Sequence, residues 1–206
     1  MAQRPVFRNL AELSSIHLRQ AVEIFAASFY EPLSFISPQV EVIADILEHS
    51  FIPEHHFVAL LNGNVVGVMS FSTATGRSHQ FSREQLIAKL GLFRGSIVFF
   101  RLRGVLGHPL ELTDYQCYID SVATDTAFRG AGISTELQRY VLRKLPYREF
   151  LLEVAETNFK AIRMYEELGF VVGERKPQRS FWKPAYEGGK IALKKTMKTR
   201  TQTESN

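Results

Sequence analysis

CYIDSVATDTAFRGAGISTELQRYVLRKL, residues 117–145, reads as strand, turn and helix in immediate succession. Cys117 to Thr124 alternates in the manner of a strand, and Ile133, Leu137, Val141 and Leu145 stack every fourth residue in a helix. Between them, Arg129-Gly130-Ala131-Gly132-Ile133-Ser134 brings backbone N–H groups to a helix N-terminus. Such a terminus has unsatisfied donors and partial positive charge, so it suits a phosphate. Gly130 and Gly132 have no side chain to hold a pyrophosphate away from the backbone, and Arg129 adds a permanent cation. The plainer alternative is a glycine loop that only reverses the chain. A Walker-type loop would need Gly-Lys-Ser/Thr, and no Lys is present. A dinucleotide fingerprint would put its third glycine at Thr135 and start directly after the strand. Here Asp125 to Arg129 intervene, although Glu153 lies at a tolerable distance for a ribose.

Toward the C-terminus the pattern predicts a strand over Glu149–Ala155 and a helix over Asn158–Leu168 closed by Gly169. A strand begins at Phe170–Gly173, and Lys190–Lys195 makes the last one. Asn158 and Tyr165, seven residues apart, differ by only about 20° around a helix axis and share a face with Ile162. Asn offers a donor and an acceptor to an amide-rich ligand, and Tyr offers a hydroxyl proton. A helix cap and an amphipathic core residue are the structural alternatives.

Toward the N-terminus, Leu18, Val22, Phe25 and Phe29 predict a helix over residues 15–30, with a shorter one over Val40–His49. His56–Leu61 and Val65–Phe71, joined by Asn62-Gly63-Asn64, predict a hairpin. Between Gly76 and Asp114 the pattern is irregular; Ser82 caps a helix to Leu90, and Phe93–Leu106 forms another. The expected order is helix and hairpin first, then strand–helix–strand–helix–strand, a mixed α/β sheet.

Taken together, IDSVATDTAFRGAGIST and LLEVAETNFKAIRMYEELGFVVGERK resemble the acetyl-coenzyme A core of the GNAT superfamily of N-acetyltransferases. The family's loop motif, Arg/Gln-x-x-Gly-x-Gly/Ala, corresponds to Arg129, Gly132 and Ser134. Its later motif, Asn-x-x-Ala-x-x-x-Tyr-x-x-x-Gly-Phe, is met by Asn158, Ala161, Tyr165, Gly169 and Phe170. Ser134 departs from the usual Gly or Ala, and Thr126-Ala127 stand where a proline often precedes the loop. The match covers roughly residues 117–175 and implies a GNAT-like acyl-CoA N-acyltransferase fold with helices on both sheet faces.

The resemblance implies that the main chain of Val122, Ala123 and Thr124 holds the acetyl thioester and polarises its carbonyl. It implies that Arg129, Gly130, Ala131, Gly132, Ile133 and Ser134 cradle the pyrophosphate, that Asn158 adds a cofactor contact, and that Tyr165 protonates the departing thiolate. Acetyl-CoA is then the co-substrate, and a small-molecule or peptide amine is the acceptor. A non-catalytic acyl-CoA sensor of the same fold is the contrasting reading. Asp120, Glu153, Glu31 or water could take the amine's proton; alternation puts Asp120 on the same strand face as Val122.

The remaining features bound these expectations. A chain of 206 residues with 45% hydrophobic and 22% charged residues can bury a substantial core, which excludes general disorder. Residues 1–195 are expected to form one domain, with 76–114 an acceptor-side insert and 196–206 a polar tail. The single cysteine, Cys117, excludes an internal disulfide and a multi-cysteine zinc site, and fits a reducing compartment. No signal-like or spanning apolar run is present, which points to a cytoplasmic protein. His49, His55 and His56 match no metal spacing and are expected in a surface loop; Trp182 packs on the sheet or lines the substrate side.

The net charge of +4 is expected to serve an anionic ligand or solubility rather than nucleic acid. Arg77, Arg83, Lys89, Arg94, Arg101 and Arg103, interspersed with Leu92, Phe93, Ile97, Phe99 and Phe100, make the insert basic and amphipathic. A substrate wall or lid, a homodimer contact and an anionic surface all fit that composition.

Overall fold

The computed structural model describes residues 4–107, 110–176 and 190–197. Its strands are β1 (Val6–Asn9), β2 (His56–Leu61), β3 (Asn64–Thr73), β4 (Gln116–Thr124), β5 (Glu149–Ala155), β6 (Val171–Lys176) and β7 (Lys190–Thr196). They form one mixed sheet in the order β1-β2-β3-β4-β5-β7-β6, antiparallel throughout except between β4 and β5. The parallel pair is joined by α6 (Ile133–Lys144) as its crossover, and α7 (Phe159–Glu167) follows β5. The remaining helices are α1 (Ser15–Ser28), α2 (Tyr30–Leu33), α3 (Val40–Leu47), α4 (Arg83–Leu90) and α5 (Leu92–Leu106).

Hydrophobic burial divides the helices between the two faces. Val58, Val68 and Ala123 of the sheet pack with Val22 and Phe25 of α1, Ile43 and Leu47 of α3, and Leu86, Val98 and Leu102 of the α4–α5 hairpin. Opposite them, Met69, Phe71, Cys117, Ile119, Phe150 and Leu152 pack with Leu137 and Val141 of α6 and with Tyr165 and Leu168 of α7. The sequence pattern placed most of these elements. Asn62 (φ 52°) and Gly63 (φ 79°) make the positive-φ hairpin turn between β2 and β3. Ser82 caps α4 by accepting the Gln85 N–H at 3.2 Å. β1 was not anticipated, because four residues carry too little alternation to register as a strand.

Two expectations need correction or bounding. His56 does not sit in a surface loop: it opens β2, is fully buried and stacks on Phe51 with ring centroids 4.5 Å apart. Buried His79 meets it edge-on at 5.5 Å. Trp182 and residues 198–206 lie outside the described residues.

The insert's cations fasten the α4–α5 hairpin to the first helices. Lys89 donates to the Asp45 carbonyl of α3, Arg94 to the Ile36 carbonyl at 2.7 Å, and Arg101 lies 3.9 Å over the Phe35 ring. Gly95 lets the two helices close, since a Cβ there would stand 2.6 Å from the Leu86 carbonyl oxygen.

The buried histidines make the fold acid-sensitive. Burial lowers the pKa of His56 to about 4 and that of His79 well below its usual value. The unfolded chain therefore binds more protons, and this stability is present above about pH 6.5 and lost as pH falls toward about 4. For His56 alone the loss is on the order of 3 kcal/mol. Urea midpoints should fall between about pH 7 and about pH 5, and a His56→Asn/His79→Asn variant should flatten that slope. An unchanged slope in the variant would assign the acid sensitivity elsewhere.

Candidate active site

The site begins with a defect in strand pairing. β4 pairs with β5 only through Gln116, Cys117 and Tyr118, after which no partner residues join the two strands. Beyond Tyr118, the backbone groups of β4 that do not face β3 have no strand partner among the described residues, leaving an open edge over Ile119–Thr124. Of Val122, Ala123 and Thr124, where the resemblance put the thioester, Val122 and Thr124 turn their backbone groups to that edge, whereas Ala123, like Asp125, turns its own to β3. On the other side they remain fixed by β3, opposite Met69, Val68 and Gly67.

A bulge sets which way these residues face. Ser70 pairs with Ser121 and Phe71 with Ile119, so Asp120 is the extra residue on β4. Val122 therefore takes the Met69 face and packs toward the α6–α7 core, whereas Ala123 joins the α1 side. Asp120 accepts from Ser72 at 2.5 Å and Ser78 at 2.8 Å, with Arg77 at 3.8 Å. It thus shares a face with Ser72 and not with Val122, contrary to the alternation expected from the sequence. Burial raises the Asp120 pKa, opposed by the two hydroxyl donors and Arg77.

At the end of β4 the chain turns through Asp125, whose side chain accepts from Ala127 N at 2.8 Å. Gly130 (φ 85°) and Gly132 (φ 77°) then take conformations that L side chains resist. Gly132 occupies the N-cap position of α6 and supplies no side-chain cap. The described residues hold no acceptor on the N–H groups of Ile133, Ser134 and Thr135, while Glu136 N bonds back to the Gly132 carbonyl at 3.0 Å. Among the described residues, the space above both glycines is open, with nothing within 4 Å of a Cβ built at either. Exposed Arg129 folds back to the Thr124 carbonyl at 3.4 Å. An uncapped helix start, an open floor and a cation beside it fit a pyrophosphate.

Asn158 is the cap of α7: its Oδ1 accepts from Ala161 N at 3.1 Å, and the residue is exposed. The cap alternative is therefore correct, and only the outward amide group is left for a ligand. Tyr165 is buried at 8% exposure and meets Phe170 at 5.5 Å, and among the described residues its hydroxyl has no hydrogen-bond partner. Burial pushes its pKa up to about 12, so the phenol stays protonated at neutral pH. Tyr118, on β4, also has a raised pKa, from burial and then the nearby Glu153 and Asp120 carboxylates. Glu153 stands on β5 with Lys190 at 3.5 Å, and Glu31 is exposed in the first turn of α2.

Sequence reading missed Gln138. It is fully buried on α6 and donates to the Ser134 carbonyl at 3.2 Å and to Met164 Sδ at 3.5 Å, leaving its Oε1 unpartnered. Ser134 itself donates to Met164 Sδ at 3.7 Å, so the departure from Gly or Ala ties the loop to α7. An amide set beside Leu137 on the apolar face of α6 was the available signal.

The acetyltransferase (GNAT) family model matches residues 18–170. Among solved structures, an N-acetyltransferase from Staphylococcus aureus Mu50 superposes with a TM-score of 0.61 at 18% identity, covering 92% of this chain and 99% of its own. A ribosomal-protein-alanine N-acetyltransferase from Brucella melitensis gives 0.61 at 14% identity, over 93% and 99%. The NatC complex bound to Gag peptide and CoA gives 0.53 at 16% identity, over 95% and 100%. At these identities the likeness shows the fold. A comparison with curated protein sequences finds no match.

The glycine geometry predicts opposite outcomes for one chemical change. Gly132→Ala should lose about 1 kcal/mol to backbone strain, because φ is positive and no clash contributes. Gly104→Ala, in helical conformation within α5 and also free of clash, should gain about as much. Thermal midpoints should move apart by several degrees, on the order of 2–4 °C each way. Shifts of the same sign would contradict the strained loop.

Proposed function

The chain belongs to the acetyltransferase (GNAT) family and is an acetyltransferase, and on that premise we propose that it moves an acetyl group from acetyl-CoA to a primary amine by direct attack. The observation that carries this reading is the juxtaposition of two sets of unpaired backbone groups. One is the open β4 edge at Val122–Thr124, and the other is the uncapped start of α6 a few residues later. Acetyl-CoA supplies an acyl group activated as a thioester.

Arg129 and the segment Gly130–Ser134 cradle the pyrophosphate, through the N–H groups of Gly130, Gly132, Ile133 and Ser134 since that of Ala131 is held by the Phe128 carbonyl, with the amide of Asn158 beside them. Main-chain N–H groups of Val122 and Thr124 orient the thioester and stabilise the negative charge that builds on its oxygen. Tyr165 holds its proton at Oη and delivers it to the departing sulfur. Its raised pKa keeps that donor loaded, and among the described residues no partner competes for the hydroxyl. Among the three carboxylates, Asp120 is engaged by Ser72, Ser78 and Arg77, Glu31 is exposed on α2, and Glu153 stands 3.5 Å from Lys190. Glu153, on the β5 side of the opening and beside Tyr118, is the group we assign to receive the amine's proton through water.

Thiol release in an amine-acceptor screen tests these roles. Tyr165→Phe should lower kcat by about a hundredfold or more, while acetyl-CoA still raises the melting temperature by nearly the wild-type amount. Glu153→Gln should lower kcat/KM for the amine and leave acetyl-CoA binding unchanged. Equal turnover in wild type and Tyr165→Phe, with acyl transfer limiting, would sink the proton-donor role. If no amine supports release although acetyl-CoA binds, the non-catalytic sensor reading replaces transfer.

A further inference from the structure

We infer that the outer face of α5 docks the protein on an anionic lipid surface. At about 100° per residue, Gly95, Val98, Leu102 and Leu106 form one face of this helix, and the core contacts lie there. Diametrically opposite stand Phe93, Ile97 and Phe100, respectively 85%, 61% and 64% exposed, with Gly104 completing the stripe. A helix whose inner face is already packed does not need this second apolar face for folding. Scattered exposed apolar residues are ordinary, but three large ones aligned on one helix face are not.

Charge selects the occupant. Exposed Arg103 borders the stripe on one side and exposed Arg94 on the other, where Arg94 also holds the Ile36 carbonyl and neighbouring Arg101 is engaged on the Phe35 ring. α5 contains no carboxylate. Across α4 and α5, Arg83, Lys89, Arg94, Arg101 and Arg103 face only Glu84, a net +4 equal to that of the whole chain. The rest of the sequence is therefore balanced, and three of these five cations stand on α5 itself. A second copy meeting this face across a two-fold axis would set arginine against arginine with no acid on the helix to pair them. An anionic bilayer instead offers acyl chains to the stripe and headgroups to its arginine borders. Fifteen residues make a helix too short to span, so it would lie in the interface.

Co-sedimentation of the full chain with lipid vesicles tests this, independently of the acetyl-transfer chemistry. The protein should sediment with phosphatidylcholine/phosphatidylglycerol vesicles and not with pure phosphatidylcholine. It should be released when salt shortens the Debye length to about 3 Å. Phe93→Ser/Phe100→Ser should weaken partitioning about tenfold or more, with helicity and thiol release unchanged. Gly104→Cys carrying a polarity-sensitive dye gives a second readout, since Cys117 is buried and a Cβ at Gly104 meets nothing. Its emission should shift to the blue with anionic vesicles only. Equal binding to neutral vesicles, no binding, or a lipid-free dimer that Phe93→Ser/Phe100→Ser dissociates would overturn the inference.

Discussion

Backbone hydrogen bonding at the end of β4 is the constraint on which the rest depends. A strand near the middle of a sheet normally has both edges paired, because unpaired N–H and C=O groups are costly away from water. β4 is held by β3 along nearly its whole length but by β5 over only three residues. The bulge at Asp120 rotates the remainder of the strand, so that Val122 and Ala123 still seat in their respective cores while the edge beside them stays open. A few residues later, positive-φ Gly132 starts α6 without a cap. Two deficits in hydrogen bonding thus lie at one end of one strand, where a ligand rich in carbonyl and phosphate oxygens can satisfy both.

The sheet around this opening is braced by polar groups that do not touch it directly. Asp120 gathers Ser72, Ser78 and Arg77, and Arg77 in turn donates to the Leu106 carbonyl at 3.2 Å. The end of α5 is thereby connected to the bulged strand. Gln138 does comparable work on the opposite face, linking the first turn of α6 to Met164 of α7.

Much of this was legible in the sequence because it depends on local chemistry. Asn62-Gly63 specified the hairpin, Ser82 the start of α4, and the spacing of Ile133, Leu137 and Val141 the buried face of α6. The motif residues marked the loop and Tyr165. What stayed hidden was set by register and tertiary packing. One extra residue at Asp120 reverses the faces that alternation assigns, and no residue type announces it. His56 looked like a loop residue beside His55, yet stacking on Phe51 placed it in the core. The insert's arginines read as part of a substrate wall, a dimer contact or an anionic surface, and the carbonyls and ring that Arg77, Arg94 and Arg101 meet belong to segments that only the fold brings near.

The most direct test is amide hydrogen exchange measured in the presence and absence of acetyl-CoA. Binding at the proposed site should protect amides within Val122–Thr124 and Gly130–Thr135 together, while exchange in β1 and β2 stays unchanged. Protection of the α6 loop without β4, or of neither while acetyl-CoA still stabilises the fold, would contradict the open edge as the place where the thioester is held.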